Sequence, residues 1–177
     1  IEISGFVDSL KVDSQNYLFE NTFEVSSGLN TGPGKYHIRQ GMVALDDYQV
    51  ETKGDITRPS EGQYNLDLSL SSEKIDLSNL EVQLVKYFPE AFKQFETDGS
   101  LSLEGRVKGV YDENTNPSIN FDYNLENASL KNKETNKTLK NIEVKGNFTN
   151  GSTRDRKSTI IKIKSFSGKL GRKEVKG

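Results

Sequence analysis

Apolar residues recur at every second position in one short run after another along this chain, and that period suits strands with one wet face. The clearest run is Tyr64-Asn65-Leu66-Asp67-Leu68-Ser69-Leu70, where Leu66, Leu68 and Leu70 face one way and Asn65, Asp67 and Ser69 the other. Leu101 and Leu103 continuing to Val107, then Ile119/Phe121/Tyr123/Leu125, then Ile142/Val144 continuing to Phe148, and Ile161/Ile163 repeat the pattern. Shorter candidates are Ile1–Ile3, Tyr17–Phe19, Phe23–Val25, Tyr36–Ile38, Met42–Leu45 and Tyr48–Thr52. The cluster Gly28, Asn30, Gly32, Pro33, Gly34 predicts a loop, and Asp46-Asp47 a tight turn. Glycines 105, 109 and 146 interrupt later runs and read as bulges or bends.

One stretch changes period. Leu80, Leu84, Val85, Phe88, Phe92 and Phe95 fall at three- and four-residue spacing, which predicts an amphipathic helix over about 78–95. Ser78 with Glu81 fits a capping box, Leu77 and Val82 are placed for a hydrophobic staple, and Pro89 predicts a kink at Phe88. The fold class expected is therefore mainly β: a curved antiparallel meander sheet or groove with one capped helix, in a single segment spanning 1–177. Val43–Gly54 and Phe166–Gly177 can also be laid on one another as strand, turn and strand, either by duplication or because hairpins look alike.

Chemistry is sparse. The single histidine, His37, sits in a strand pattern, and no Gly-x-Ser-x-Gly elbow accompanies it. Asp112-Glu-Asn114-Thr-Asn116 opens like a calcium loop, but Pro117 stands at the turn-glycine position and Tyr123 where the bidentate glutamate belongs. A connecting loop explains that composition, so neither a metal nor another cofactor is expected. Asn-x-Ser/Thr sequons begin at Asn127, Asn136, Asn147 and Asn150, and composition accounts for them. There is no cysteine, which excludes disulfides, thiolate metal sites and thiol catalysis. The net charge is −2 with both signs interleaved, which argues against nucleic acid as a partner. The run Arg154–Lys157 reads as a solvated loop, with contact to anionic headgroups as the second reading. No run approaches the roughly 18–20 apolar residues of a spanning helix. A start at Ile1 rather than Met and a stop at Gly177 read as a fragment.

The order of elements from 66 to 150 carries a resemblance. An alternating strand ends in Lys74-Ile-Asp-Leu-Ser78, and the helical stretch is followed by Gly99-Ser-Leu101-Ser-Leu103-Glu-Gly105-Arg-Val107-Lys-Gly109. Next come Pro117-Ser-Ile119-Asn-Phe121-Asp-Tyr123-Asn-Leu125-Glu-Asn127-Ala-Ser-Leu130 and Leu139-Lys-Asn-Ile142-Glu-Val144-Lys-Gly146-Asn-Phe148. This succession resembles the carboxy-terminal region of AsmA-like proteins of the Bacteroidetes type. The resemblance implies a non-catalytic, periplasmic segment whose parent is anchored in the inner membrane. It also implies a scaffold or hydrophobic conduit in outer-membrane assembly and phospholipid transport, with acyl chains and other envelope proteins as partners.

On that reading Leu66, Leu68, Leu70, Leu101, Leu103, Ile119, Phe121, Tyr123, Leu125, Ile142 and Val144 line a lipid groove, and Leu80, Leu84 and Phe88 form a lid. The other reading of the same face is the closed core of a β-sandwich that binds proteins through loops such as 28–34. Edge strands of the sheet invite self-association.

Overall fold

A computed structural model describes residues 2–12, 15–45, 48–80, 93–155 and 157–177. Ten strands follow one another: β1 (Glu2–Val12), β2 (Gln15–Gly32), β3 (Lys35–Leu45), β4 (Tyr48–Ser60), β5 (Gln63–Asp76), β6 (Phe95–Tyr111), β7 (Ser118–Asn132), β8 (Thr138–Thr149), β9 (Ile160–Leu170) and β10 (Lys173–Lys176). All belong to one antiparallel sheet whose spatial order is the sequence order, a meander with β1 and β10 at its two edges, so it is not closed into a barrel. Consecutive strands pair because two-residue turns join several of them. In Pro33-Gly34, proline presets the first turn residue, and Gly34 supplies the positive φ of 64° at the second. Gly62 (φ 73°) and Gly171 (φ 61°) serve the β4–β5 and β9–β10 turns.

Several expectations change. The Gly28–Gly34 cluster is not a loop: β2 runs as strand to Gly32, and only Pro33-Gly34 turn. Tyr36–Ile38 and Met42–Leu45 are one strand interrupted by a bulge. Ile38 pairs with Gly54 and Gly41 with Thr52, so β3 spends one residue more than β4 over that interval. The extra residue moves β3's paired positions from 36 and 38 to 41, 43 and 45. That is the phase change already written in the apolar spacing of the sequence. Asp46-Asp47 lies outside the described residues.

The helix begins earlier than its capping box suggested. Residues 77–80 are helical, and the cap is Asp76 rather than Ser78: its Oδ1 accepts the Ser78 N–H at 2.8 Å and the Ser78 hydroxyl. Those bonds hold the Asp76 carboxyl below the usual range. At the other end Phe95 belongs to β6, not to the helix. Glu81, Val82, Leu84, Val85, Phe88, Pro89 and Phe92 lie outside the described residues.

The Cα positions group into two compact units. One comprises Ile1–Ser72, Glu104–Asn120 and Thr149–Thr159; the other comprises Glu73–Leu103, Phe121–Phe148 and Ile160–Gly177. In the first unit the β6–β7 connection and the loop after β8 are tied by one buried side chain. Asn150 Oδ1 accepts the Ile119 N–H at 2.8 Å, and its Nδ2 donates to the Pro117 carbonyl at 2.8 Å. Replacing Asn150 by Ala strands both backbone groups and should cost about 2–4 kcal/mol in urea unfolding. This sequon asparagine is buried, so the fold does not present its side chain for glycosylation.

The Asp112 loop is a connection, as its composition suggested: Asp112 Oδ1 accepts the Asn114 N–H at 3.0 Å. The two segments laid on one another by sequence pair in different registers. Leu45 pairs with Tyr48, positions that align with 168 and 171, whereas in the later hairpin Leu170 pairs with Lys173. Generic hairpin composition accounts for that likeness.

Candidate functional site: an apolar sheet face left partly open

In the first unit the face is built in rows across β3, β4 and β5. Tyr36, Ile56 and Leu66 stand opposite one another, as do Ile38, Gly54 and Leu68, and Gly41, Thr52 and Leu70. Directly paired residues share a face, so these rows bring Leu66, Leu68 and Leu70 together with Tyr36, Ile38 and Ile56. Glycines fill the tightest positions. A Cβ at Gly41 would stand 2.8 Å from the Thr52 methyl and 3.0 Å from that of Ile38. Ile119 lies in the same unit, its backbone held by Asn150.

The opposite face is charged. His37 Nδ1 and Asp55 Oδ1 are 2.8 Å apart across β3 and β4, and Asp55 pairs with Asp67 of β5. Asp67 then accepts from Lys108 at 2.9 Å and from Arg106 Nε at 2.7 Å, both on β6. The Lys108 and Arg106 hydrogen bonds hold the Asp67 carboxyl below its ordinary value of 3.8. The single histidine is thus half of an exposed cross-strand pair.

The second unit repeats the plan. Phe121, Tyr123 and Leu125 alternate with Asp122, Asn124 and Glu126, and Ile142 and Val144 with Asn141, Glu143 and Lys145. Asp122 fixes the sides: it bonds Lys164 of β9 and the Asn147 amide of β8 at 3.2 Å, and those two, in that order, lower its pKa. On the apolar side Tyr123 lies over Gly146, where a Cβ would overlap its ring, and its hydroxyl donates to the Lys162 carbonyl at 3.0 Å. Gly146 is therefore a seat for an aromatic ring rather than a bend with positive φ. Leu101 and Leu103 belong to this unit on β6.

Exposure decides what kind of face this is. Of the eleven residues expected to line it, ten are half-buried, and only Ile142, at 6%, is buried. Among the described residues the buried hydrophobics are Ile75, Ala128 and Ile142. A sandwich core would bury most of its Leu, Ile and Phe side chains almost completely. The described strands moreover belong to one hydrogen-bonded sheet rather than to two. Leu80 is half-buried in the helical turn, while Leu84 and Phe88 of the expected lid lie outside the described residues.

The described residues contain no helix long and apolar enough to cross a membrane, and no group of three or more His, Cys, Asp or Glu side chains suited to hold a metal. Compared with known protein families, with curated proteins and with solved structures, the chain finds no match.

Sequence reasoning missed an imbalance of charge. The interleaving seen over the whole chain fails in the last hairpin: residues 160–177 carry six Lys/Arg and one Glu, a net +5, against −7 for the rest. A windowed count would have found it.

Six carboxylates, Asp67, Asp76, Glu96, Asp112, Asp122 and Asp155, are held below their ordinary values by hydrogen bonds in the fold. A depressed folded pKa adds stability that is present above the unfolded value and is lost as pH falls through the folded one. The urea midpoint should therefore hold from neutral pH to about 5 and decline below about 4. Asp67→Asn should make that decline shallower.

Proposed function

We propose that this chain is a non-catalytic segment of an AsmA-like envelope protein whose apolar sheet face carries phospholipid acyl chains. The observation that supports this most is the half-exposure of Leu66, Leu68 and Leu70 in the first unit and of Leu101, Leu103, Phe121, Tyr123, Leu125 and Val144 in the second, all on strands of one antiparallel sheet. An apolar surface left partly wet is where hydrocarbon gains by burial, at about 0.8 kcal/mol per CH₂. The charged ladder on the other face, His37–Asp55 and Asp67 with Arg106 and Lys108, keeps that side in water and makes the sheet one-sided. The resemblance in the 66–150 stretch adds the setting: a periplasmic position, a parent anchored in the inner membrane, and a scaffold or conduit role toward the outer membrane.

The test is titration of the purified chain with a fluorescent fatty-acyl probe. Saturable enhancement that unlabelled phospholipid displaces supports the reading. A chain that leaves the probe unchanged at all concentrations refutes it.

A further inference from the structure

Within the first unit the apolar face changes character at one end. Beyond the row of Tyr36, Ile56 and Leu66, β4 continues to Arg58, whose N–H donates to the Gly34 carbonyl at 2.7 Å. The Arg58 guanidinium stands over the Tyr64 ring, 5.9 Å from its centroid. Tyr64 lies two residues before Leu66 on β5 and so shares that strand's apolar side.

β6 follows next to β5, and two side-chain bonds set their register. Gln63 Nε2 donates to Asp112 Oδ2 at 3.3 Å, and Lys108 Nζ to Asp67 Oδ2 at 2.9 Å. That register puts Tyr111 opposite Tyr64 and Gly109 opposite Leu66, on the side away from Lys108 and Asp112. Arg154 fills the space that Gly109 leaves: its Nη1 lies 3.4 Å from where a Cβ would stand. The same nitrogen donates to the Asn116 carbonyl at 3.2 Å, which holds the side chain in place. Two arginines thus flank a pair of tyrosines where the leucine rows end, on strands about 10 Å apart across β5. Tyr64 and Arg154 are half-buried and Tyr111 is 50% exposed, so solvent reaches this rim.

We propose that this rim binds the phosphate headgroup of an anionic phospholipid whose acyl chains lie along the leucine rows. The inference rests on the acyl-carrying role of that face and adds a headgroup preference to it. A guanidinium offers forked donors that match phosphate oxygens, and Arg58 and Arg154 supply two of them. Tyrosines put a ring beside hydrocarbon and a hydroxyl toward water, the requirement at a boundary between acyl chain and headgroup. Ile56 and Leu66, one row inward, begin the hydrocarbon side. A glycerol headgroup leaves the phosphate charge to the arginines, whereas choline carries a cation of its own toward them.

The test is fluorescence anisotropy with phosphatidylglycerol and phosphatidylcholine that carry the same labelled acyl chain, each kept below its aggregation concentration. Phosphatidylglycerol should bind roughly tenfold more tightly, and salt should shrink the difference. Arg58→Gln and Arg154→Gln should each remove most of that preference and leave phosphatidylcholine binding unchanged. Arg154→Lys, which keeps the charge and loses the fork, should fall between. Urea midpoints show which variants fold, and Arg58→Gln, on an exposed side chain, decides alone if the Arg154 variants do not. Equal affinity for the two lipids would overturn the headgroup site and leave the acyl-carrying role standing. Binding of neither lipid would overturn both. A preference that survives both arginine substitutions would overturn the assignment to this rim. Displacement of phosphatidylglycerol by an equal concentration of glycerol phosphate would show a free-phosphate site and overturn the lipid assignment.

Discussion

Gly54→Ala should be among the most damaging single substitutions in the chain, lowering stability by about 3 kcal/mol or more. Two costs coincide at this position. Its φ of 136° lies where side chains are strained, and a Cβ there would overlap the Asp67 carbonyl and stand 3.0 Å from the Leu68 Cα. Both obstacles are backbone atoms of the neighbouring strand, so no rotamer change relieves them. Moving them would separate β4 from β5 in the row that joins Ile38, Gly54 and Leu68. Gly62→Ala is the control. Its φ is also positive at 73°, but nothing lies within 4 Å of its would-be Cβ, so only the conformational cost of about 1 kcal/mol remains. Urea unfolding should show a large fall in midpoint for Gly54→Ala and a small one for Gly62→Ala, with the slope unchanged.

Charges placed on the apolar face should abolish acyl binding while sparing the fold. Phe121→Asp and Leu103→Asp each put a carboxylate among half-buried side chains of the second unit, where an acyl chain would have to cover it. Covering an unpaired carboxylate with hydrocarbon costs several kcal/mol, so fatty-acyl probe affinity should fall at least tenfold for either variant. Because both side chains are already partly wet, the stability loss should stay at about 1–2 kcal/mol. Lys145→Asp alters the charge on the opposite face of β8 and should leave probe binding unchanged. Equal loss in all three variants would mean that the probe follows charge or unfolding rather than the face.

The sidedness of the sheet was legible because an alternating apolar run has one simple explanation. Leu66-Asp-Leu-Ser-Leu70 and Ile142-Glu-Val144 land with their polar neighbours outward, as written. The joins between runs were not legible. Gly28–Gly34 has the composition of a loop, yet it is paired strand up to its last two residues, because cross-strand pairing overrides local turn propensity. The bulge at Arg39-Gln40 left a trace, the change of phase between Ile38 and Val43, but such a change also fits two separate strands. Ser78 and Asp76 are both good helix caps, and only geometry chooses between them.

Gly54 and Gly146 were opaque for a different reason. What matters at each is the space a missing side chain leaves for another strand's backbone or for the Tyr123 ring, and a sequence does not display its neighbours. Each strand's apolar side can be read from its own alternation, but its partial exposure depends on what covers it, which no single strand encodes.

Native mass spectrometry of the chain purified from membrane-containing bacterial cells, followed by lipid extraction of the same sample, tests the central claim most directly. The account predicts a population heavier than the 19.8 kDa chain by the mass of one or more phospholipids, released only on denaturation and absent in Phe121→Asp. A lipid-free chain that stays folded and fails to take up added phospholipid would contradict it.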